Sequence, residues 1–241
     1  MKRLLRMMLL VLSAAVFALG PGRAQTPKPA EPESKMVKFH MALLKRGPEW
    51  TGTKAASTET LEKAQRDYAE SLVTSGKAVI VGRLTDSGEI RGVYVLRAKT
   101  PDEARQWAED SPAVKSGHLI AEMHPWWSEE VMKAPTMPLK MTTAYLGFLT
   151  RGAKWTPEKT PATEEIQKAH LANINRLAEM KKLVVAGPFG DNGQLRGIFV
   201  FKVASLEEAK ELAETDPAVK AGRLAISMHP WQVPEGILPS P

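Results

Sequence analysis

The sequence predicts an α+β chain in which one β-α-β-β-α-β unit is written twice, and three observations carry that prediction. The first is internal repetition. Residues 36–126 align on residues 141–231 without a gap, and identity in roughly a third of the columns is far above chance for a gapless register of this length. Arg46-Gly47 recurs as Arg151-Gly152, Trp50-Thr51 as Trp155-Thr156, and Gly82 as Gly187. Asp86 recurs as Asp191, Gly88 as Gly193, Arg91-Gly92 as Arg196-Gly197, and Pro112-Ala113-Val114-Lys115 as Pro217-Ala218-Val219-Lys220. Met123-His124-Pro125-Trp126 returns as Met228-His229-Pro230-Trp231. The second observation is the order of hydrophobic periods inside each copy. The third is composition: 241 residues, 43% hydrophobic and 25% charged, a globular balance with length for two domains of about 100 residues.

The elements follow in order along the second copy. Thr143–Leu149 reads as a short apolar strand, followed by a loop with Gly152 and Pro157. Thr163 is the expected cap of a helix whose first turn holds Glu164 and Glu165, acids that a helix N-terminus favours. Ile166, His170, Ile174 and Leu177 then share one helical face. Leu183–Ala186 is a second strand, and Asp191-Asn192-Gly193 is expected to make a tight two-residue hairpin turn. Leu195–Val203 is a third strand. Ser205-Leu206-Glu207-Glu208 has capping-box spacing and opens a second helix. Thr100 and Glu103 repeat this in the first copy, with Pro101 at the favoured first helical position. Asp216-Pro217 starts a short turn, and Arg223–Met228 is the last strand.

This order is the ferredoxin-like pattern: a four-stranded antiparallel sheet with both helices on one face. The other apolar face then needs a partner. Two tandem copies supply it as an internal pseudo-dimer with sheets packed face to face. Residues 127–140, with Pro135 and Pro138, read as an interdomain linker, and residues 232–241 as a tail.

The N-terminus reads as a secretory signal over residues 1–24. Lys2, Arg3 and Arg6 precede an apolar stretch from Met7 to about Leu19, and Gly22-Arg23-Ala24 offers small residues for cleavage. Residues 25–35 form a Pro-rich flexible lead. A periplasmic or secreted protein is therefore expected, with no membrane association after cleavage. The chain carries +6 overall. Without the signal about +2 remains, too little to argue for a nucleic-acid partner. The sequence has no cysteine, which excludes disulfides, thiolate catalysis and cysteine zinc sites. With five histidines and no two-His pair at helix spacing, no metal site is expected. Neither a phosphate-binding glycine loop nor a nucleophile elbow is present.

Lys168-Ala169-His170-Leu171, Gly187-Pro188, Asp191-Asn192-Gly193, Arg196-Gly197, Glu207-Glu208-Ala209, Asp216-Pro217 and Pro230-Trp231 occur in that order. Together they resemble the YCII-related (YciI-like) domain family, over about 90 residues in each copy. The resemblance implies the dimeric α/β-barrel arrangement of two ferredoxin-like units. It also implies a His with an Asp partner as an acid/base site, with some relatives being lyase-like enzymes on small ring compounds. By resemblance the His is His170, and its Asp is Asp216 or Asp191. The first copy departs from the pattern: Gln65 stands for His170, Arg83 for Pro188 and Ser111 for Asp216. Chemistry is therefore expected in the second copy.

Imidazole titrates near neutrality and suits proton transfer, so His170 is the leading catalytic residue. Asp216 or Asp191 would orient it, although Asp before Pro also caps a helix and Asp suits a turn. Arg196 could meet an anionic substrate, and His229 and Trp231 could line a pocket mouth. The expected activity is a cofactor-free lyase- or hydrolase-like acid/base step on a small molecule. The alternative is a non-catalytic small-ligand-binding or structural envelope protein. A third reading, a monooxygenase that needs neither heme nor flavin, rests on fold analogy alone. The expected assembly is a monomer with an internal pseudo-dimer, or a homo-oligomer of it.

Overall fold

A computed structural model describes residues 36–52 and 56–240; the expected signal segment 1–24 and the lead 25–35 lie outside them. In the first copy, strand β1 (Met36–Arg46) leads to helix α1 (Ala56–Thr74), the hairpin β2 (Ala78–Leu84) and β3 (Ile90–Leu96), and helix α2 (Pro101–Glu109). A single turn α3 (Pro112–Lys115) and strand β4 (Leu119–Glu129) complete it. The second copy repeats the order: β5 (Met141–Arg151), α4 (Pro161–Glu179), β6 (Leu183–Pro188), β7 (Leu195–Phe201), α5 (Leu206–Glu214), α6 (Pro217–Lys220) and β8 (Leu224–Pro234).

All eight strands join one antiparallel sheet in the order β4-β1-β3-β2-β8-β5-β7-β6. The two copies meet edge to edge as well as face to face. At one seam Arg83 and Leu84 of β2 pair with Gln232 and Trp231 of β8, and the Thr85 N–H donates to the Pro230 carbonyl at 3.1 Å. At the other, Trp126 bridges Phe189, and the Gly190 N–H donates to the Pro125 carbonyl at 2.8 Å. The seams use equivalent residues of opposite copies, so the sheet closes on itself as a barrel with a pseudo-twofold axis. Closure leaves no free edge for unwanted strand pairing.

Strand alternation sorts the side chains. Phe39, Met41, Leu43, Val93 and Val95 point into the barrel with Leu146, Phe148, Ile198 and Val200 from the other copy. Their neighbours Ala42, Leu44, Tyr94 and Leu96 face the outer helices of the first copy, as Leu149, Phe199 and Phe201 do in the second. Trp126 and Trp231, each fully buried, reach across the seams. A Cβ at Gly82 would overlap Trp231 Nε1 and stand 2.8 Å from the Gln232 carbonyl oxygen. A Cβ at Gly187 would overlap the Trp127 carbonyl oxygen and stand 3.0 Å from Trp126 Nε1. The repeated glycine is therefore the flat spot on which the opposite copy's tryptophan lies.

Several boundaries move relative to the sequence expectations. The α4 cap is Thr160, not Thr163: Thr160 accepts the Thr163 N–H, Thr163 returns the bond to the Thr160 N–H, and Pro161 takes the first helical position. Asn192-Gly193 is not a two-residue turn. β6 ends at Pro188 and β7 starts at Leu195, because Phe189 and Gly190 are drawn into the seam with β4 before the chain reverses. β8 runs to Pro234, and the tail residues Ile237 and Leu238 join the barrel core together with Met132 from the linker. The Lys133 N–H donates to the Ile237 carbonyl at 2.9 Å, so linker and tail hold each other. Ser205 caps α5 as expected, accepting the Glu208 N–H. Ser205→Ala is expected to cost about 1 kcal/mol in urea unfolding; an unchanged midpoint would show that the Glu208 carboxylate on the Ala204 N–H, at 3.0 Å, holds that end alone.

Candidate functional site

His170 lies midway along α4, on the face that packs towards the sheet. One helical turn on, Asn173 is 7% exposed, and two turns on, Leu177 is fully buried. The imidazole stacks on Phe199 of β7, with ring centroids 5.9 Å apart and planes inclined by 17°. Its Nδ1 donates to Asp216 Oδ2 at 2.8 Å. Asp216 is the N-cap of α6 and is completely buried. Its other oxygen, Oδ1, accepts the backbone N–H of Ala218 at 2.9 Å and of Val219 at 3.4 Å. The short helix thus aims the carboxylate, and the carboxylate aims the imidazole.

Two residues that sequence reasoning missed complete this cluster. Asn173 Nδ2 donates to Asp216 Oδ2 at 3.3 Å, and Arg176 NH2 donates to Asn173 Oδ1 at 2.8 Å and to Thr215 Oγ1 at 3.0 Å. Asn173 follows His170 by three residues on one helix face, and that spacing was the available signal. With Nδ1–H held by the carboxylate, the neutral form of the ring carries its lone pair on Nε2. It makes no hydrogen bond among the described residues, and the side chain remains 11% exposed. This is the arrangement of a proton acceptor oriented by a buried carboxylate.

The first copy solves the same spot without a base. Gln65 Oε1 accepts the Ala113 N–H at 2.9 Å, the bond that Asp216 makes in the second copy, and Gln65 Nε2 donates to the Tyr94 hydroxyl at 2.7 Å. Tyr94 stands where Phe199 stands. Ser111 Oγ is buried without a hydrogen-bond partner. Three positions therefore differ together: His170, Asp216 and Phe199 against Gln65, Ser111 and Tyr94.

Asp191 does not orient His170. Its Oδ2 accepts from His124 Nδ1 of the first copy at 2.5 Å. The symmetric partner is Asp86, whose Oδ2 accepts from His229 Nδ1 at 2.5 Å. These crossed pairs pin the two seams, and they need the longer hairpin loops described above. His229 therefore sits at a seam, its Nε2 3.1 Å from Ser227 Oγ. Trp231, expected at a pocket mouth, is sealed inside the barrel because the first copy's Gly82 lets it in.

Arg196 lies over Trp155, 4.7 Å from the ring centroid, with Arg151 and Arg223 at 5.5 and 5.0 Å. Burial, then the adjacent Arg151 charge, pulls the Arg196 guanidinium below its ordinary range, while Asp191 works in the opposite direction. The second copy thus groups three guanidinium ions around one indole.

A cavity of about 430 Å³ opens in the first copy between α1 and the sheet, bordered by Gln65, Tyr94, Arg91, Trp50 and His118 and closed by Met141, Gln232 and Pro234 of the second. His170 does not border it; Gln65 stands at the equivalent place. No group of three or more His, Cys, Asp or Glu able to hold a metal ion occurs among the described residues, and no described helix is long and apolar enough to cross a membrane.

Comparison with known proteins agrees with the repeat and the barrel. An uncharacterised protein of Bacillus subtilis (strain 168), YjpA, is 33% identical over 78 residues, 31% of this chain and 89% of its own length. A chlorite dismutase variant from Candidatus Nitrospira defluvii superposes with a TM-score of 0.53 at 14% identity, covering 83% of this chain and 92% of that one. The same enzyme in complex with imidazole gives 0.52 at 13%, covering 85% and 93%. Identities this low establish a shared dimeric α/β-barrel fold and nothing about activity. The model of the YCII-related domain matches residues 27–126 and 150–231, one segment per copy, and the chain belongs to that family.

Proposed function

We propose that this chain is an exported protein whose second copy performs acid/base chemistry on a small organic acid, with His170 as the base. The observation that carries this reading is the His170–Asp216 pair, with a fully buried carboxylate at 2.8 Å and Nε2 left open. Nε2 would take a proton from a substrate carbon. The electron pair left behind forms a double bond as the bond to the leaving group breaks, and the imidazolium returns its proton to that group. Asp216 stabilises the imidazolium in between. Arg196 would hold the substrate's carboxylate, which favours an anionic substrate. The basic and apolar start of the sequence supports export, and the small net charge of the remainder supports a small-molecule partner rather than nucleic acid.

The test is a metabolite thermal-shift screen on wild type and His170→Gln, followed by turnover assays on each hit. Glutamine is chosen because Gln65 fills the equivalent place in the first copy. The expected result is an organic acid that raises the melting temperature of both forms and is converted by wild type at least about 100-fold faster. Equal turnover by the variant overturns the role of His170. Binding without turnover by either form selects a ligand-binding protein instead.

A further inference from the structure

The cavity of the first copy carries Gln65 where the second copy has His170. Its walls are apolar where Leu44, Leu61, Val81 and Leu119 meet, with the indole of Trp50 at one side. Its volume falls in the range of small-molecule sites. Cations stand on its sheet side: Arg83 and Arg91 border it, and neither makes an ion pair within salt-bridge distance among the described residues. Arg91 lies over Trp50 at 5.3 Å, donates to the Asp86 and Gly88 carbonyls, and keeps a buried Nε with no partner. Tyr94 accepts from Gln65, which leaves its own hydroxyl hydrogen unspent. Burial raises its phenol well above the usual range, so the group stays a donor at neutral pH. Around the whole cavity three arginines, including Arg66, face two glutamates, Glu62 and Glu70. One net positive charge remains.

We propose that this cavity is a second, non-catalytic binding site for a small organic monoanion: a carboxylate held by Arg83, Arg91 and the Tyr94 hydroxyl, with a flat apolar body against Trp50 and the leucines. Guanidinium and phenol donors match a carboxylate's paired oxygens. The base of the second copy has no counterpart at this position, because Gln65 stands there and spends its carbonyl on the Ala113 N–H and its amide on Tyr94. The site is incomplete without the second copy, whose Met141, Gln232 and Pro234 close it. It stands or falls independently of the chemistry proposed at His170.

Isothermal titration of the intact chain with benzoate, and with benzamide as the neutral isostere, tests it. The expected result is saturable benzoate binding, with benzamide weaker by about tenfold or more. Arg83→Gln and Leu61→Trp should each weaken benzoate by about tenfold or more, the first by removing charge and the second by filling the cavity, while His170→Gln leaves it unchanged. Should Leu61→Trp fail to give a wild-type melt, Tyr94→Phe replaces it with the same expected direction. Absence of saturable benzoate binding, equal affinity for benzamide, or binding indifferent to Arg83→Gln overturns the proposal. Loss in His170→Gln alone would place the anion in the other copy and overturn it as well.

Discussion

Gly187→Ala is expected to lower the stability of the chain by about 3 kcal/mol, seen as a fall in the urea midpoint with little change in slope. The new methyl group would run into the Trp127 carbonyl oxygen of the opposite copy and crowd Trp126 Nε1, which donates to the Gly187 carbonyl at 3.1 Å. A carbonyl oxygen in a strand cannot swing aside as a side-chain tip can. Relief requires β6 to draw away from β4 and the seam to open. Gly193→Ala is the control: its new Cβ would meet nothing closer than 3.7 Å, and the backbone there avoids the left-handed region. That variant should stay within about 0.5 kcal/mol of wild type. Equal effects at the two positions would show that the barrel is not closed at this seam in solution.

Asp216→Ser should cost about 3 kcal/mol, because it strands His170 Nδ1 and Asn173 Nδ2 and removes the carboxylate that caps α6. The first copy contains the remedy. Adding His170→Gln and Phe199→Tyr to Asp216→Ser rebuilds the Gln65–Tyr94–Ser111 arrangement, in which a glutamine carbonyl takes the α-helical N–H and a phenol takes the glutamine amide. The triple variant is expected to recover most of the lost stability while remaining inactive. Unfolding of the single and triple variants measures the coupling. A triple variant no more stable than Asp216→Ser would mean that the two clusters are not self-contained alternatives.

Much of the architecture was legible before any coordinates. The gapless repeat and the strand and helix periods in each copy led to two ferredoxin-like units joined as a barrel. His170 stood out from its place on an apolar helix face and from the family resemblance, which left Asp216 and Asp191 both open as its partner; the position of Asp216 before Pro217 pointed only to a helix cap. What escaped notice depends on contacts between the copies. Asp86 and Asp191 were visible as a repeated pair, and so were His124 and His229, but nothing in a linear pattern says that each aspartate serves the histidine of the other half. The length of the β6–β7 loop escaped for the same reason, since the seam that stretches it is a tertiary contact overriding Asn-Gly turn preference. The tail around Ile237 read as irregular because its apolar residues are few and unevenly spaced. The cavity beneath α1 is a sum of many packing distances, and no motif announces it.

The crossed His–Asp pairs also bear on what one polypeptide can do that an association of identical subunits cannot. In a symmetric homodimer every substitution appears twice, so a change that abolishes a base in one half abolishes it in the other. Here the two halves are covalently joined and independently encoded, and only the interlocking residues need to remain alike. The rest is free to specialise, so one barrel can carry a histidine–aspartate dyad on one flank and an uncatalytic receptor on the other.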